Sequence, residues 1–514
     1  MVVKREPRER GEGRAAGAAA VLGAGAALLA TAAAHAAVPR VPFPPVAVAE
    51  AIVHATPGAV ATFSIERLGH LAQPLLVLGT TAGFLVLSWG LGRPLPRLAS
   101  RLGGRFAAAA VLGLPLALIA VASMEPGTAT VGRGSYSLVM LGALGVGAAT
   151  TTWRLRRRED PDVRSDSPAD ASRREILLGL VVGAAGLGVG WTGLGRALVG
   201  RSDPGGAPLP VHVSGPPIPT DAAFDAIPGL SPALTPTADF YVVDTALFDP
   251  LVDVDDWALT VGGLVERPFR IGYEELLDQP AVGFVSTLEC ISNEVGGGLI
   301  STARWTGVSL RTLLERAGVR DAAVEVVATS VDGYADSIPL DDAFRERTVV
   351  AIGMDGVSLP REHGFPARLL VPGRYGMKQP KWLASLELVD RPFEGYWERR
   401  GWSKAAFVKT MSRVDTVVPA GPRLIVAGVA FAGDRGISKV EVSTDGGSSW
   451  EAAALDAAIS PLAWRRWRYD LEPASAIGRT VIVRGTDGEG RLQEQRVVPP
   501  HPDGASGYHA VELS

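Results

Sequence analysis

Cysteine is almost absent from this chain. Cys290 is the only one in 514 residues, so no internal disulfide is possible and no C-x-x-C-H haem attachment or multi-cysteine metal cluster can be written. Its value lies in packing, as a small buried hydrophobe, or in thiolate chemistry. Positive charge is not in excess. Lys and Arg number 50 against 54 Asp and Glu, a net charge of −4, and this excludes the basic surface that a nucleic-acid partner requires. Aromatic residues make up 6%. Beyond residue 239 the glycine fingerprint of a dinucleotide site is also missing.

Apolar sequence is abundant. Hydrophobic residues make up 47% and mean hydropathy is +0.20, with the excess before residue 200. Five segments there approach the roughly 20 residues that cross a bilayer: Ala15–Ala37, Leu71–Leu91, Phe106–Ser123, Ser135–Thr152 and Ile176–Val199. Arginines alternate between their flanks. Arg8, Arg10 and Arg14 precede the first, Arg93, Arg97, Arg101 and Arg105 separate the second and third, and Arg154, Arg156, Arg157 and Arg158 follow the fourth. The positive-inside rule then predicts a multi-pass cell-membrane protein with a cytoplasmic N-terminus and everything after residue 200 outside the cytoplasm. The first span alone fits a signal peptide, but four more spans favour retention. Arg173-Arg174 before the fifth span fits either ordinary positive-inside charge or a twin-arginine export signal, a route for folded domains. His35, His54 and His70 lie at span ends or in loops, so no haem is expected. With no Asp, Glu or Lys in the apolar centres, an ion path through the membrane is not supported.

Four regions follow: a transmembrane region at 1–200, a Pro/Gly-rich linker at 201–236, an α+β domain at 237–412 and an all-β domain at 413–514. The linker has no apolar period and reads as an extended tether. Trp257–Val261 and Phe284–Leu288 alternate as strands, the second delivering Cys290. Leu310–Ala317 is an amphipathic helix ending at Gly318. In the last region short strands and the turn Asp445-Gly446-Gly447 fit an immunoglobulin-like sandwich.

The stretch around Cys290, TLECISNEVGGGLISTARWTG (Thr287–Gly307), combines a soft thiol with polar neighbours Glu289, Ser292, Asn293 and Glu294 and with glycines that let backbone approach a ligand. Gly364-Phe365-Pro366 separates His363 from Arg368, so one turn aims both at a common anionic group. On sequence alone Tyr334 reads equally as a half-buried core tyrosine, Lys381 as a surface lysine, and Arg304-Trp305 as a packing pair.

Three motifs, ISTARWTG with VSLRTLLERAGV, DGYADSIPL (Asp332–Leu340), and PREHGFPARLLVPGRYGMKQPKWL (Pro360–Leu383), resemble the sulfite oxidase family of molybdenum enzymes. They stand in that family's order from about Asp239 to the C-terminus. The resemblance implies a sulfite-oxidase-type molybdopterin domain followed by a dimerisation domain, hence a possible homodimer. It implies a molybdenum–molybdopterin cofactor with Cys290 as thiolate ligand, contacted by Asn293, His363, Arg368, Gln379 and Lys381. Tyr334 would take the place of the active-site tyrosine, and Arg435 would reach in from the last domain. The departures matter. The family's C-x-x-N-R-R becomes Cys290 to Asn293 followed by Glu294 and Val295, another family arginine falls at Val243, and a substrate-pocket insert shrinks to Gly296-Gly297-Gly298. Losing two cations implies a penalty of roughly three orders of magnitude for an anion such as sulfite. The expectation is oxygen-atom transfer on a small neutral substrate, with an unidentified electron-transfer partner and membrane lipid as neighbours. Sulfite oxidation proper, a methionine-sulfoxide-type reductase, and an anchored binding protein with an inactive cofactor fold are the alternatives.

Overall fold

In the computed structural model, residues 7–37, 72–94, 168–191, 205–209, 221–245, 249–250, 252–472 and 478–513 are described, with isolated positions between 43 and 56 and at 150–151 and 218–219. The chain divides into two compact units, Met1–Asp203 with Ala246–Leu251, and Pro204–Thr245 with Val252–Ser514.

The first unit contains helices α1 (Pro7–Ala37), α2 (Ala72–Gly92) and α3 (Pro168–Trp191). α1 packs against the other two, and glycine sets the approach. A Cβ on Gly25 would lie 2.5 Å from the Gly179 carbonyl, and one on Gly179 would lie 2.8 Å from Val21 Cγ1. Small residues let apolar helices come this close. Among the described residues two segments are long and apolar enough to cross a bilayer, Arg14–Ala34 and Leu75–Gly92, where the sequence suggested five. The fifth expected span is described in part: its helix runs from Pro168 to Trp191 with the exposed Arg173 and Arg174 in its first turns, and residues 192–199 lie outside the described residues. The third and fourth expected spans lie outside the described residues, save for 150–151.

In the second unit several described residues of the supposed tether are docked. Pro208 bridges to Val357 and Leu209 is 4% exposed in the core. Asp221 caps helix α4 (Ala222–Asp225) by accepting from Ala223 N at 2.9 Å. Phe224 and Ile227 then bury against Ala427. Thr235 N donates to Thr302 O at 2.8 Å. Each anchor removes enough apolar surface from water to offset the ordering of a few residues.

The α+β domain has two five-stranded sheets. The first runs β2-β1-β10-β5-β6, from β1 (Ala258–Gly263), β2 (Phe269–Gly272), β5 (Glu325–Ser330), β6 (Ala335–Pro339) and β10 (Leu383–Val389). Only its β1–β10 pair is parallel. The second runs β3-β4-β7-β8, with β9 also on β7, from β3 (Ala281–Glu289), β4 (Ile300–Ser309), β7 (Val349–Met354), β8 (Val357–Ser358) and β9 (Arg368–Leu370). Short helices α5 (Tyr273–Leu277), α6 (Leu310–Ala317) and α7 (Leu340–Ala343) connect them. α6 ends where the sequence says it should: Gly318 is left-handed at φ +69° and its N–H bonds Leu314 O and Glu315 O. The buried face of α6, Leu310, Leu313, Leu314 and Ala317, joins the core formed with Leu259, Ile271 and Leu386.

The C-terminal domain is a sandwich of two four-stranded antiparallel sheets. One is β11 (Met411–Ala420), β12 (Arg423–Phe431), β16 (Arg465–Leu471) and β15 (Ala454–Leu455); the other is β14 (Glu451–Ala452), β13 (Ile437–Ser443), β17 (Thr480–Asp487) and β18 (His509–Glu512). Trp467, fully buried, sits in their shared core. Trp464 instead joins the two domains. Its N–H donates to Thr287 Oγ1 at 2.8 Å, and Leu462 O accepts from Thr287 N at 2.9 Å.

Candidate active site

Strand β3 buries its last six residues, Phe284 to Glu289, and hands the chain to Cys290 at the edge of the core. Cys290 N donates to Leu299 O at 3.0 Å, so residues 290–299 close into a ring. Asn293 ties the ring internally: its Oδ1 accepts from Leu299 N at 2.9 Å and its Nδ2 donates to Glu289 Oε1 at 2.9 Å. Cys290 Sγ lies 3.0 Å from Ser292 Oγ. Burial raises the thiol pKa, the Ser292 bonds oppose this, and Glu289 adds to the rise. The resting sulfur keeps its proton until a cation favours the thiolate.

Two neighbours complete the surroundings of the thiol: Glu289, already visible beside it in the sequence, and Tyr241, which was not. Burial pushes Glu289 up to about 7, against the Asn293 bond and the Arg413 charge, and its Oε2 is buried without a hydrogen-bond partner. Tyr241 is enclosed, and burial first, then the nearby Cys290, hold its phenol pKa well above 10, with Arg368 opposing. Its hydroxyl oxygen faces Gly376, where a Cβ would stand 3.2 Å away. No spacing rule in the sequence ties Tyr241 to residue 290.

Arg368 opens β9. It is 5% exposed, donates to His363 O and Gln379 O at 3.2 Å each, and stands over the Trp305 ring at 5.6 Å. Its Nε is buried with no partner. His363, 2% exposed, packs edge-on against Phe240 with Nε2 3.2 Å from Thr237 O. Burial drives its pKa down to about 4, and the Arg368 charge contributes. Thr237 and its hydrogen-bond acceptor Asp355 also line, with Arg304, an open cleft of about 410 Å³. Cys290, Tyr241, Glu289 and Arg368 thus form one electrostatic neighbourhood, with His363 beside Arg368.

The other expected site residues are placed differently. Gln379 is a brace: its Oε1 accepts from Val371 N at 3.2 Å and its Nε2 donates to Arg374 O at 2.8 Å. Asn293 likewise spends its amide on the loop. Lys381 is bound by Asp244 and by Glu362 O, neither a free surface lysine nor an unoccupied cation. Tyr334 donates its hydroxyl to Met377 O at 2.7 Å, with Asp336 Oδ2 at 3.3 Å. Asp336 and Glu398 in turn hold the buried Lys378. Arg435 pairs through Nε with Asp487 Oδ2 at 2.8 Å, and its terminal nitrogens donate to Val408 O and Thr410 Oγ1 at 3.2 Å. Those contacts engage all three guanidinium nitrogens at the seam of the two domains.

The donor set suits a ligand that brings most of a metal's coordination with it. Among the described residues no group of three His, Cys, Asp or Glu could hold a metal alone. One soft thiol, one buried guanidinium with a spare N–H and one neutral imidazole fit a pterin-borne metal with an anionic tail.

Comparison with known proteins agrees. Residues 246–397 match the oxidoreductase molybdopterin binding domain, and residues 405–499 the Mo-co oxidoreductase dimerisation domain. The mitochondrial sulfite oxidase of Rattus norvegicus is 29% identical over 303 residues, 49% of this chain and 55% of that protein. The chain therefore spans about half the length of that relative. The uncharacterized oxidoreductase YuiH of Bacillus subtilis is 31% identical over 166 residues, 32% of this chain and 82% of that protein. The crystal structure of the sulfane dehydrogenase SoxCD from Paracoccus pantotrophus superposes with a TM-score of 0.50 at 24% identity, over 55% of this chain and 81% of that one, a likeness of fold. With both domain matches in order and these relatives in agreement, the chain belongs to the sulfite oxidase family of molybdopterin oxidoreductases.

Proposed function

We propose that this protein catalyses two-electron oxygen-atom transfer on a small neutral substrate, from a catalytic unit held outside the cytoplasm by its N-terminal helices. The observation that carries the reading is the thiol of Cys290, enclosed with Tyr241, Glu289 and Arg368, beside positions where the family's cations are replaced. Val243 is 44% exposed and presents an apolar side chain where the resemblance places an arginine, and Glu294, exposed, stands where another belongs. An anionic substrate would meet fewer fixed cations there, and opposite-charge contacts in a partly dehydrated site are worth about 2 kcal/mol each.

The molybdenum–pterin cofactor supplies the two-electron redox couple when bound. Cys290 would donate the protein's thiolate, and Arg368 and His363 would hold the pterin and its anionic end. Tyr241 keeps its proton across the physiological range and so has an O–H to donate as a hydrogen bond. His363 stays neutral, so Arg368 is the fixed positive charge of the pair. Glu289, near 7, can hold or release a proton at Oε2 beside the sulfur at working pH. The sandwich, read as an immunoglobulin-like dimerisation domain, would pair two copies, and an electron-transfer partner would complete turnover.

Steady-state assays with sulfite against neutral sulfoxides or N-oxides, each in its redox direction, test the substrate class. Weak or absent sulfite turnover with measurable turnover of a neutral substrate is expected. Efficient sulfite oxidation at micromolar concentration would overturn the charge argument. A reporter active only outside the cytoplasm, fused after Ser514, should be active; silence there would place the catalytic unit inside.

A further inference from the structure

The ring from Cys290 to Leu299 is closed at its base by its own bonds, but its tip, Glu294 to Gly298, is gripped by the C-terminal domain. Arg413 on β11 donates Nη1 to Gly297 O at 2.6 Å. The same guanidinium is fixed from two other sides, through Nε to Asp415 Oδ1 at 2.6 Å and through Nη2 to Ser231 Oγ at 3.0 Å. Asp415, 5% exposed on its side chain, also accepts from Ser231 N at 3.0 Å. Arg413 is therefore preorganised before it meets the loop.

The second grip comes from the other sheet. His509 on β18 accepts from Val414 N through Nδ1 at 3.0 Å, which fixes the ring orientation and leaves Nε2 toward the loop. Gly296 passes flush against that imidazole: a Cβ there would collide with the ring, and the residue is left-handed at φ +77°. Gly297 is crowded from inside, since a Cβ would stand 2.6 Å from Asn293 Oδ1. Two glycines of the run are thus explained by the neighbours they must admit.

We infer that Arg413 and His509 are positioning residues which, by clamping Gly296 and Gly297, hold the 290–299 ring and so fix where the Cys290 sulfur stands. The C-terminal domain is then part of the metal site's support as well as a second folding unit. Supporting contacts of this kind set how precisely a ligand is presented to a metal. The inference rests on Cys290 being the thiolate ligand of the proposed function.

The lone cysteine makes the test clean, because a thiol reagent reads residue 290 and nothing else. The full chain, prepared without cofactor, is alkylated with iodoacetamide as wild type, Arg413→Gln, Arg413→Lys and His509→Ala, with Arg468→Gln as a control in an exposed ion pair of the same domain. Release of the clamp should raise the alkylation rate about tenfold in Arg413→Gln and His509→Ala through local opening of the ring. The melting temperature of His509→Ala should stay within about 2 °C of wild type, whereas Arg413→Gln, which strips the buried Asp415 of its charged partner, should melt lower. Arg413→Lys, which keeps one donor, should restore much of the wild-type rate, and the control should match wild type. In the molybdenum-loaded enzyme the same two variants should shift the electron paramagnetic resonance of the reduced metal. Unchanged alkylation in both variants would overturn the clamp; if Arg413→Gln does not fold, His509→Ala decides alone. A clamped thiol in a chain that binds no molybdenum would sink the proposed function and leave the clamp standing.

Discussion

His363 shows how residue-scale burial becomes chemistry. Its imidazole is 2% exposed beside Arg368, and burial takes its pKa from 6.5 down to about 4. The unfolded chain binds the proton first as pH falls, so this residue's contribution to stability is whole above 6.5 and is lost as pH falls through 4. In the cofactor-free chain, denaturant titrations should show the stability of wild type relative to His363→Gln rising between pH 4 and 6.5, by on the order of 1–3 kcal/mol, while buried carboxylates such as Glu289 act in the opposite direction in both proteins. The same slope in both proteins would mean that His363 titrates normally. At this scale the sequence was legible where a residue lies inside a motif. Cys290, His363 and Arg368 could be named from their neighbours. Tyr241, Arg413 and His509 could not, because their roles arise from separations of about fifty to more than two hundred residues that only the folded chain closes, whereas Glu289 stands next to Cys290 in the sequence and only its burial was hidden. Asn293, Gln379, Lys381 and Arg435 were flagged, but flagging a polar side chain does not say which carbonyl or carboxylate it will meet.

Elements were read well where pattern and terminator agree. α6 has an amphipathic face and a glycine with the φ it needs, and the structure places it residue for residue. β3 was read shorter than it is because Val282 and Gly283 break a simple alternation that pairing with Gly307 and Thr306 nevertheless supports. The segment 201–236 was misread for a different reason. Its prolines and glycines hide three isolated anchors, Leu209, Phe224 and Ile227, too widely spaced to form a period. Leu209→Ala should therefore destabilise the catalytic unit by about 2–4 kcal/mol, the cost of a vacated core site. A free tether would show no change in a chemical denaturation midpoint.

At the scale of the whole molecule, apolar composition marks a membrane-type N-terminal unit: two of the five expected spans are long and apolar enough to cross a bilayer among the described residues, and the third, most of the fourth and the end of the fifth lie outside them. The catalytic unit was legible as a family resemblance, and its sheets and sandwich follow that order. The central claim is that this unit holds molybdenum through one thiolate from Cys290. Metal analysis with X-ray absorption at the molybdenum edge, on purified full-length wild type and Cys290→Ser, tests it most directly. The account predicts about one molybdenum per chain in the wild type, and one sulfur fewer around the metal in the variant, since a serine oxygen is a harder ligand. Turnover in the variant should be abolished while the fold is kept. An identical sulfur shell in both proteins, or a wild type that carries no molybdenum, would contradict it.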